Sequence, residues 1–249
     1  MNNIPHLQQQ PRHDTALMAV AFAFIAAIVF WGFAPTYYLK AWFETPALSG
    51  FVHLHGALMT AWIALFLIQV ALVGTGRVKW HRRLGTVGAV LAATIVLVGW
   101  RVALAWGARE NAHPSGPGPA PLPFMGFLLW VLVSYALLVG TALLLRRRPD
   151  YHKRLMLLSC FALMSAGVFR LSFPTVPTLD YWIHGGPGGV LGLDLFPVYL
   201  VVAYDTWHHR RLHPAFVGGT LVLVTLDLPF VGAFFRSETW TTFAGWLVT

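Results

Sequence analysis

His81, His152 and His209 each open the same short phrase: His81-Arg82-Arg83-Leu84, His152-Lys153-Arg154-Leu155 and His209-Arg210-Arg211-Leu212. Each phrase precedes an apolar run that later meets one arginine, Arg101, Arg170 or Arg236. A neutral imidazole is a good ligand for haem iron, zinc or copper. Two of them, from different helices at equal depth, can clamp one haem. His81 and His152 both stand where an apolar run begins, so they are the candidate haem-ligand pair. From His81, Gly85, Gly88 and Ala92 fall on one helical face. Such a face admits either a flat macrocycle or a neighbouring helix. Histidines at this depth also suit contact with lipid phosphate, which needs no cofactor.

A second group is His208, His209 and His213. His209 and His213 are four apart, so one helix would present both to a metal, with Asp205 one turn earlier to orient an imidazole. Pro214 opposes this, because the residue before a proline is pushed out of helical geometry. The other reading of the group is a solvated basic turn.

A third group lies at the opposite end of the runs. His53 and His55 are two apart and point to nearly opposite helix faces. From His55 the face continues through Met59, Trp62, Phe66 and Gln69. Arg101, Arg170, Asp194, Asp227 and Arg236 fall at similar outer depths. An intramembrane charge is costly unless paired or hydrated, so these side chains are expected to face the bundle interior. Asp227 is the deepest acid, and Arg101 or Arg170 is its expected partner. His53, His55, Gln69, Arg101, Arg170, Asp194 and Asp227 therefore form a candidate outer pocket. It holds either structural ion pairs or a substrate, quinone or metal.

The elements that must carry these groups are membrane helices. Charged residues are 10% of the 249 and apolar ones 57%, against about a quarter charged in soluble domains. Seven apolar runs approach the length of a bilayer-spanning helix: 15–34, 51–73, 84–106, 122–145, 155–173, 190–207 and 214–235. The runs are continuous, without the alternation of a membrane barrel. The expected fold is an all-α, seven-helix polytopic membrane bundle over 15–236. Residues 1–14 form a disordered cytoplasmic N-terminus and 237–249 a short outer tail. The first run is read as a true helix with Asp14 as N-cap rather than as a cleaved signal. The loop 107–123 is read as non-helical because of its prolines and glycines. Short cytoplasmic connections and the repeated phrase suggest one leading helix plus three related hairpins.

The net charge of +8 is a topology signal before it is anything else. Twelve of the 17 Lys and Arg residues lie on one side of the seven-helix arrangement and five on the other. This places the N-terminus in the cytoplasm and the C-terminus outside. The basic face suits anionic lipid, and the distribution argues against nucleic acid. Cys160 is the only cysteine, so the chain alone makes no disulfide, thiolate zinc site or iron–sulfur ligand set. There is no Walker loop, dinucleotide fingerprint or nucleophile elbow. Ser49-x-x-x-His53 and His209-x-x-x-His213 resemble motifs of membrane zinc amidohydrolases related to adiponectin receptors. The topology sets the two on opposite faces, where they cannot share a metal.

His53-Leu54-His55-Gly56, Gln69, His81-Arg82-Arg83-Leu84-Gly85, His152-Lys153-Arg154-Leu155-Met156 and Arg211-Leu212-His213-Pro214-Ala215 together resemble a group of uncharacterised bacterial seven-helix inner-membrane proteins. The resemblance covers roughly residues 31–220 and implies no particular activity. A weaker similarity runs to transmembrane b-type cytochromes, which place histidine pairs on central helices at each face. His81 and His152 match one pair, whereas the run 122–145 has no histidine to face His53 or His55. Two readings follow. One is a redox protein with haem b at His81 and His152 and an outer pocket for a quinone or small reductant, working with a membrane redox partner. The other is a non-enzymatic assembly factor or sensor. A metal-dependent membrane hydrolase is a lesser third.

Overall fold

The computed structural model describes residues 6–114, 120–172, 195–225 and 228–249, and these are all-helical apart from turns and short connections. The helices are α1 (His6–Phe33), continued by a π-helical turn (Ala34–Tyr38), α2 (Gly50–Gly74), α3 (Val78–Ala112), α4 (Pro121–Leu144), α5 (Pro149–Ser172), α6 (Phe196–His209), α7 (Pro214–Val224), α8 (Pro229–Arg236) and α9 (Glu238–Val248). Five stretches are long and apolar enough to cross a membrane: Thr15–Tyr38, Gly50–Gly74, Val78–Ala112, Pro121–Leu144 and Pro149–Leu171. Large apolar side chains such as Val90, Leu97, Leu137, Leu144 and Leu200 point outward. Helices apolar on their outer as well as their inner faces are those of a membrane protein.

Local chemistry explains most helix ends. Ser49 caps α2, its hydroxyl accepting from the Val52 N–H at 3.4 Å. Pro121 and Pro149 each occupy the first turn of a helix, where a missing N–H costs nothing. The helix α3 runs six residues beyond the expected Trp106, because no proline intervenes before Pro114. Part of the loop expected to be non-helical is therefore helix. The helix α1 begins at His6, within the stretch expected to be disordered, so Asp14 lies inside it rather than at its cap.

The last two expected runs differ more. The run 190–207 is described from Leu195 onward, as the 14-residue α6. At about 21 Å it is shorter than a bilayer core. The run 214–235 is two helices, α7 and α8. Pro229 opens α8, and the residue before it, Leu228, is extended (φ −68°, ψ 128°). The expected tail 237–249 is the amphipathic helix α9. It is capped by Ser237 and anchored by Trp240, whose indole N–H donates to Leu122 O at 2.9 Å.

The five long helices close into a ring. Each of α1 to α5 packs on its neighbours in sequence, and α1 returns to α5. Trp62 and Phe66 of α2, Ile95 of α3, Tyr135 of α4 and Leu157 of α5 are buried in the core. Outside the ring, α7 lies on α5 and α4, while α8 and α9 lie on α4, with α9 also on α3. Contacts along α4 run in order: Gly219 beside Leu138, Thr225 hydrogen-bonded to the Trp130 indole at 3.2 Å, and Phe235 against Gly126. So α7 and α8 together follow α4 from one end towards the other.

The seam between α1 and α5 depends on two glycines. A Cβ on Gly32 would collide with the backbone carbonyl of Gly167, and one on Gly167 would meet Ile28 O at 3.3 Å. Backbone cannot retreat as a side-chain tip can. Gly32→Ala should therefore destabilise by about 1–3 kcal/mol, as overpacking does. Gly140→Ala, where nothing lies within 4 Å, should be neutral or stabilising by up to about 1 kcal/mol. Unfolding of the two variants in detergent checks the contrast.

Candidate functional site

The first two turns of α5 are the hub of the basic end. Asp150, His152 and Arg154 lie on them, and each meets a different element. His152 faces His81 of α3, with ring centroids 6.4 Å apart and planes at 78°. Arg154 grips Asp205 of α6, with Nη2 to Oδ1 at 2.7 Å and Nε to Oδ2 at 3.1 Å. Asp150 accepts from His213 Nε2, just before α7, at 3.1 Å. In the ring α4 stands between α3 and α5, so the two histidines meet across the end of the interior.

Both histidines are the fourth residue of their helix, Val78-Lys79-Trp80-His81 and Pro149-Asp150-Tyr151-His152. That shared position puts them at one depth. The third phrase is placed differently. His209 ends α6, and Arg210 follows in the left-handed region at φ 55°, a conformation usually left to glycine. The three phrases are therefore not equivalent, which removes the third hairpin from the expected repeat.

Hydrogen bonds fix the proton positions of the pair. His152 Nδ1 lies 2.8 Å from Ala142 O. A carbonyl only accepts, so Nδ1 carries a proton, and in the neutral imidazole Nε2 then keeps its lone pair. Gln69 of α2 sits against His81. With its nitrogen facing His81, it donates to Nδ1 at 2.6 Å and to His81 O at 3.2 Å, while its oxygen accepts from the Gly85 N–H at 3.1 Å. The reverse orientation would set oxygen against oxygen and N–H against N–H. Accepting at Nδ1 leaves neutral His81 with its proton on Nε2. Gln69 was expected in the outer pocket. It stands instead near the other end of α2, because 14 residues separate it from His55, about 21 Å along the helix.

These residues fit a two-histidine metal centre in part. The rings stand close enough, at 6.4 Å between centroids, that two imidazole nitrogens would be able to hold one metal between them, and the Nε2 of His152 lies outside its bond to Ala142 O. The proton on His81 Nε2 opposes this, so long as Gln69 donates. Nor is the small-residue face of α3 open. Leu65 lies 3.0 Å from the Cβ position of Gly88 and Gln69 lies 3.7 Å from that of Gly85, while Ala92 is buried. That face is a helix-packing surface.

The expected metal set around Asp205 is engaged otherwise. Asp205 is 1% exposed, and Arg154 holds both its carboxylate oxygens. His209 Nδ1 lies 2.9 Å from Asp205 O. His213 is extended (φ −82°, ψ 134°), as a residue before proline should be, and its Nδ1 caps α7 by accepting from the Ala215 N–H at 3.1 Å. The break at Arg210 and Pro214 takes His209 and His213 off one helix. Among the described residues no three His, Cys, Asp or Glu side chains converge as a metal-ligand group. His213→Ala should cost about 1–2 kcal/mol through the lost cap. His213→Asn, which can still cap, should recover most of it, as read from thermal unfolding in detergent.

The outer residues assemble only in part. His55 is half-buried, with Gly99 of α3 beside its ring and a buried Nδ1 that has no partner. Arg170 lies within electrostatic reach of His55. Its guanidinium stacks 4.3 Å over Phe33 and donates to Ala166 O at 3.1 Å. His53 is exposed and packs on Tyr37, away from His55. Arg101 was expected to face the interior but is exposed. It stands 18 residues beyond Arg83, about 27 Å along α3, where a long side chain reaches headgroup level. Asp194 and Asp227 lie outside the described residues.

Sequence reasoning missed Asp150 and Arg154 as members of the site. Arg154 was counted with the topology cations, yet it is 2% exposed. The available signal was Asp205, an acid within an apolar run, which demands a cation. Ser49 caps α2 at the far end of the bundle from His209 and His213, consistent with no shared zinc site. No family model, curated protein or solved structure matches the chain.

Proposed function

We propose that this is a seven-crossing redox protein of the bacterial inner membrane, with its basic end in the cytoplasm and His81 and His152 as the ligands of a b-type haem. The observation that carries the reading is the pair itself. Two imidazoles on helices separated by α4 stand 6.4 Å apart and nearly perpendicular. When bound, haem supplies one-electron transfer. The chain's own residues do the rest. Ala142 O holds the His152 proton on Nδ1, so Nε2 is the donor atom. Arg154 and Asp205 fix the start of α5 against α6 and set the depth of His152. His55 and Arg170, at the far end, are the groups available to a quinone or small reductant. The passage of α7 and α8 along α4 supports a final crossing made in two pieces. Exposed Arg77, Lys79, Arg82, Arg146, Arg147 and Arg211 suit anionic lipid. The resemblance to bacterial seven-helix membrane proteins and b-type cytochromes points the same way.

The test is the visible spectrum of purified, dithionite-reduced protein made with ample haem. A Soret band is expected, and its absence sinks the reading. A second reading, a non-enzymatic assembly factor or sensor, draws on a different observation. Gln69 and Leu65 close the face of α3, and Arg154–Asp205 and Asp150–His213 tie α5 to its neighbours at the basic end.

A further inference from the structure

We infer that Gln69 is the positioning residue of the histidine pair: it sets which nitrogen of His81 carries the proton, and its amide must turn over before His81 can act as a ligand. A primary amide does both jobs by rotation, since it carries a donor and an acceptor on one planar group. Three contacts, made only with the amide nitrogen towards His81, select its resting orientation. Its N–H groups meet His81 Nδ1 at 2.6 Å and His81 O at 3.2 Å, and its oxygen meets the Gly85 N–H at 3.1 Å. In that state the pair is complementary rather than identical. His81 offers an N–H at Nε2, and His152, with Nδ1 committed to Ala142 O, offers a lone pair at Nε2.

Turning the amide over reverses the first contact. Its oxygen then accepts from Nδ1–H of His81, and Nε2 is left bare. No atom is gained or lost: the imidazole proton moves from Nε2 to Nδ1 through solvent, and the amide rotates to match. The turned state gives up the contacts to His81 O and Gly85 N–H, so it needs a compensating bond at Nε2. Coordination of Nε2 to a metal ion would supply one. Gln69 thereby keeps the two histidines as a proton-exchanging pair and resists casual metal binding.

The ligand consequence rests on the haem reading, but the tautomer does not. The experiment is therefore done first on haem-free protein in detergent, with ¹⁵N-labelled histidine and NMR detection of the ring nitrogens. Signals are assigned through His81→Gln and His152→Gln. Wild type should show His81 protonated at Nε2 and His152 protonated at Nδ1. Gln69→Met keeps the volume and removes the donor, and it should shift His81 towards the Nδ1-protonated form while His152 stays as it was. His81 protonated at Nδ1 in wild type overturns the inference, as does a His81 tautomer indifferent to Gln69→Met. Haem titration of the same proteins supplies the second readout. Loss of a hydrogen bond of about 1 kcal/mol that must break on ligation should make Gln69→Met bind haem about five-fold tighter, whereas a merely structural role would weaken binding. The predicted tautomers without any Soret band remove the haem reading alone. A Soret band with the opposite tautomer removes this inference alone.

Discussion

Asp205→Leu should cost about 3–5 kcal/mol of stability, the usual penalty for stranding one member of a buried ion pair. Arg154 and Asp205 are 2% and 1% exposed, so no water replaces the lost partner. The guanidinium has three links to the carboxylate and one to Asp150 O at 2.9 Å. Removing the acid leaves a cation against Phe216, whose ring lies 5.6 Å from the Arg154 Cζ. Cation–π attraction returns only about 1–2 kcal/mol. Arg154→Met alone should cost a similar amount, because Asp205 is then the stranded charge. The double variant should recover most of the loss, since a buried pair replaced by apolar groups of similar volume is near neutral or better. Unfolding of the four proteins in detergent checks the cycle. Additive losses would mean that the two groups do not form the pair described.

The second large effect is on the candidate centre. If haem binds, His152→Ala should weaken it by more than about 100-fold, beyond what loss of a mere orienting neighbour costs a metal site. His81→Ala should act equally, since each side chain supplies one nitrogen. His53→Ala should leave the spectrum unchanged, because His53 is exposed at the far end. His152→Ala should also cost about 1–3 kcal/mol of stability, because it strands the Ala142 carbonyl near the end of α4, and Ala142 is fully buried. Haem titration followed at the Soret band separates the three variants, and equal affinity for all would remove both histidines as ligands.

The long helices were readable from composition alone, because an uninterrupted apolar run has few other stable forms in a membrane. The pairing of His81 with His152 was readable from a shared phrase at two helix starts. It rests on the equal helix position that Val78 and Pro149 give them. The position of Gln69 was misread through its helix face. His55, Trp62 and Gln69 share a stripe, but a stripe says nothing of depth, and depth decides the neighbour. Arg154 was hidden for another reason. Its flanks, Lys153 and Leu155, make it look like one more interfacial cation, and only the approach of α6 shows that it is buried. The last helices were the hardest. Pro229 breaks an apolar run that hydropathy reads as continuous, because hydropathy does not see a missing N–H.

The account stands on His81 and His152 forming one centre across the end of the ring, and cysteine cross-linking in native membranes tests this most directly. On a Cys160→Ala background, which removes the only native cysteine, His81→Cys and His152→Cys are combined and treated with a short bis-maleimide. Mass spectrometry should find an intramolecular link between the two positions, and none when His53→Cys replaces His81→Cys. Two singly modified cysteines with no link between positions 81 and 152 would contradict the account.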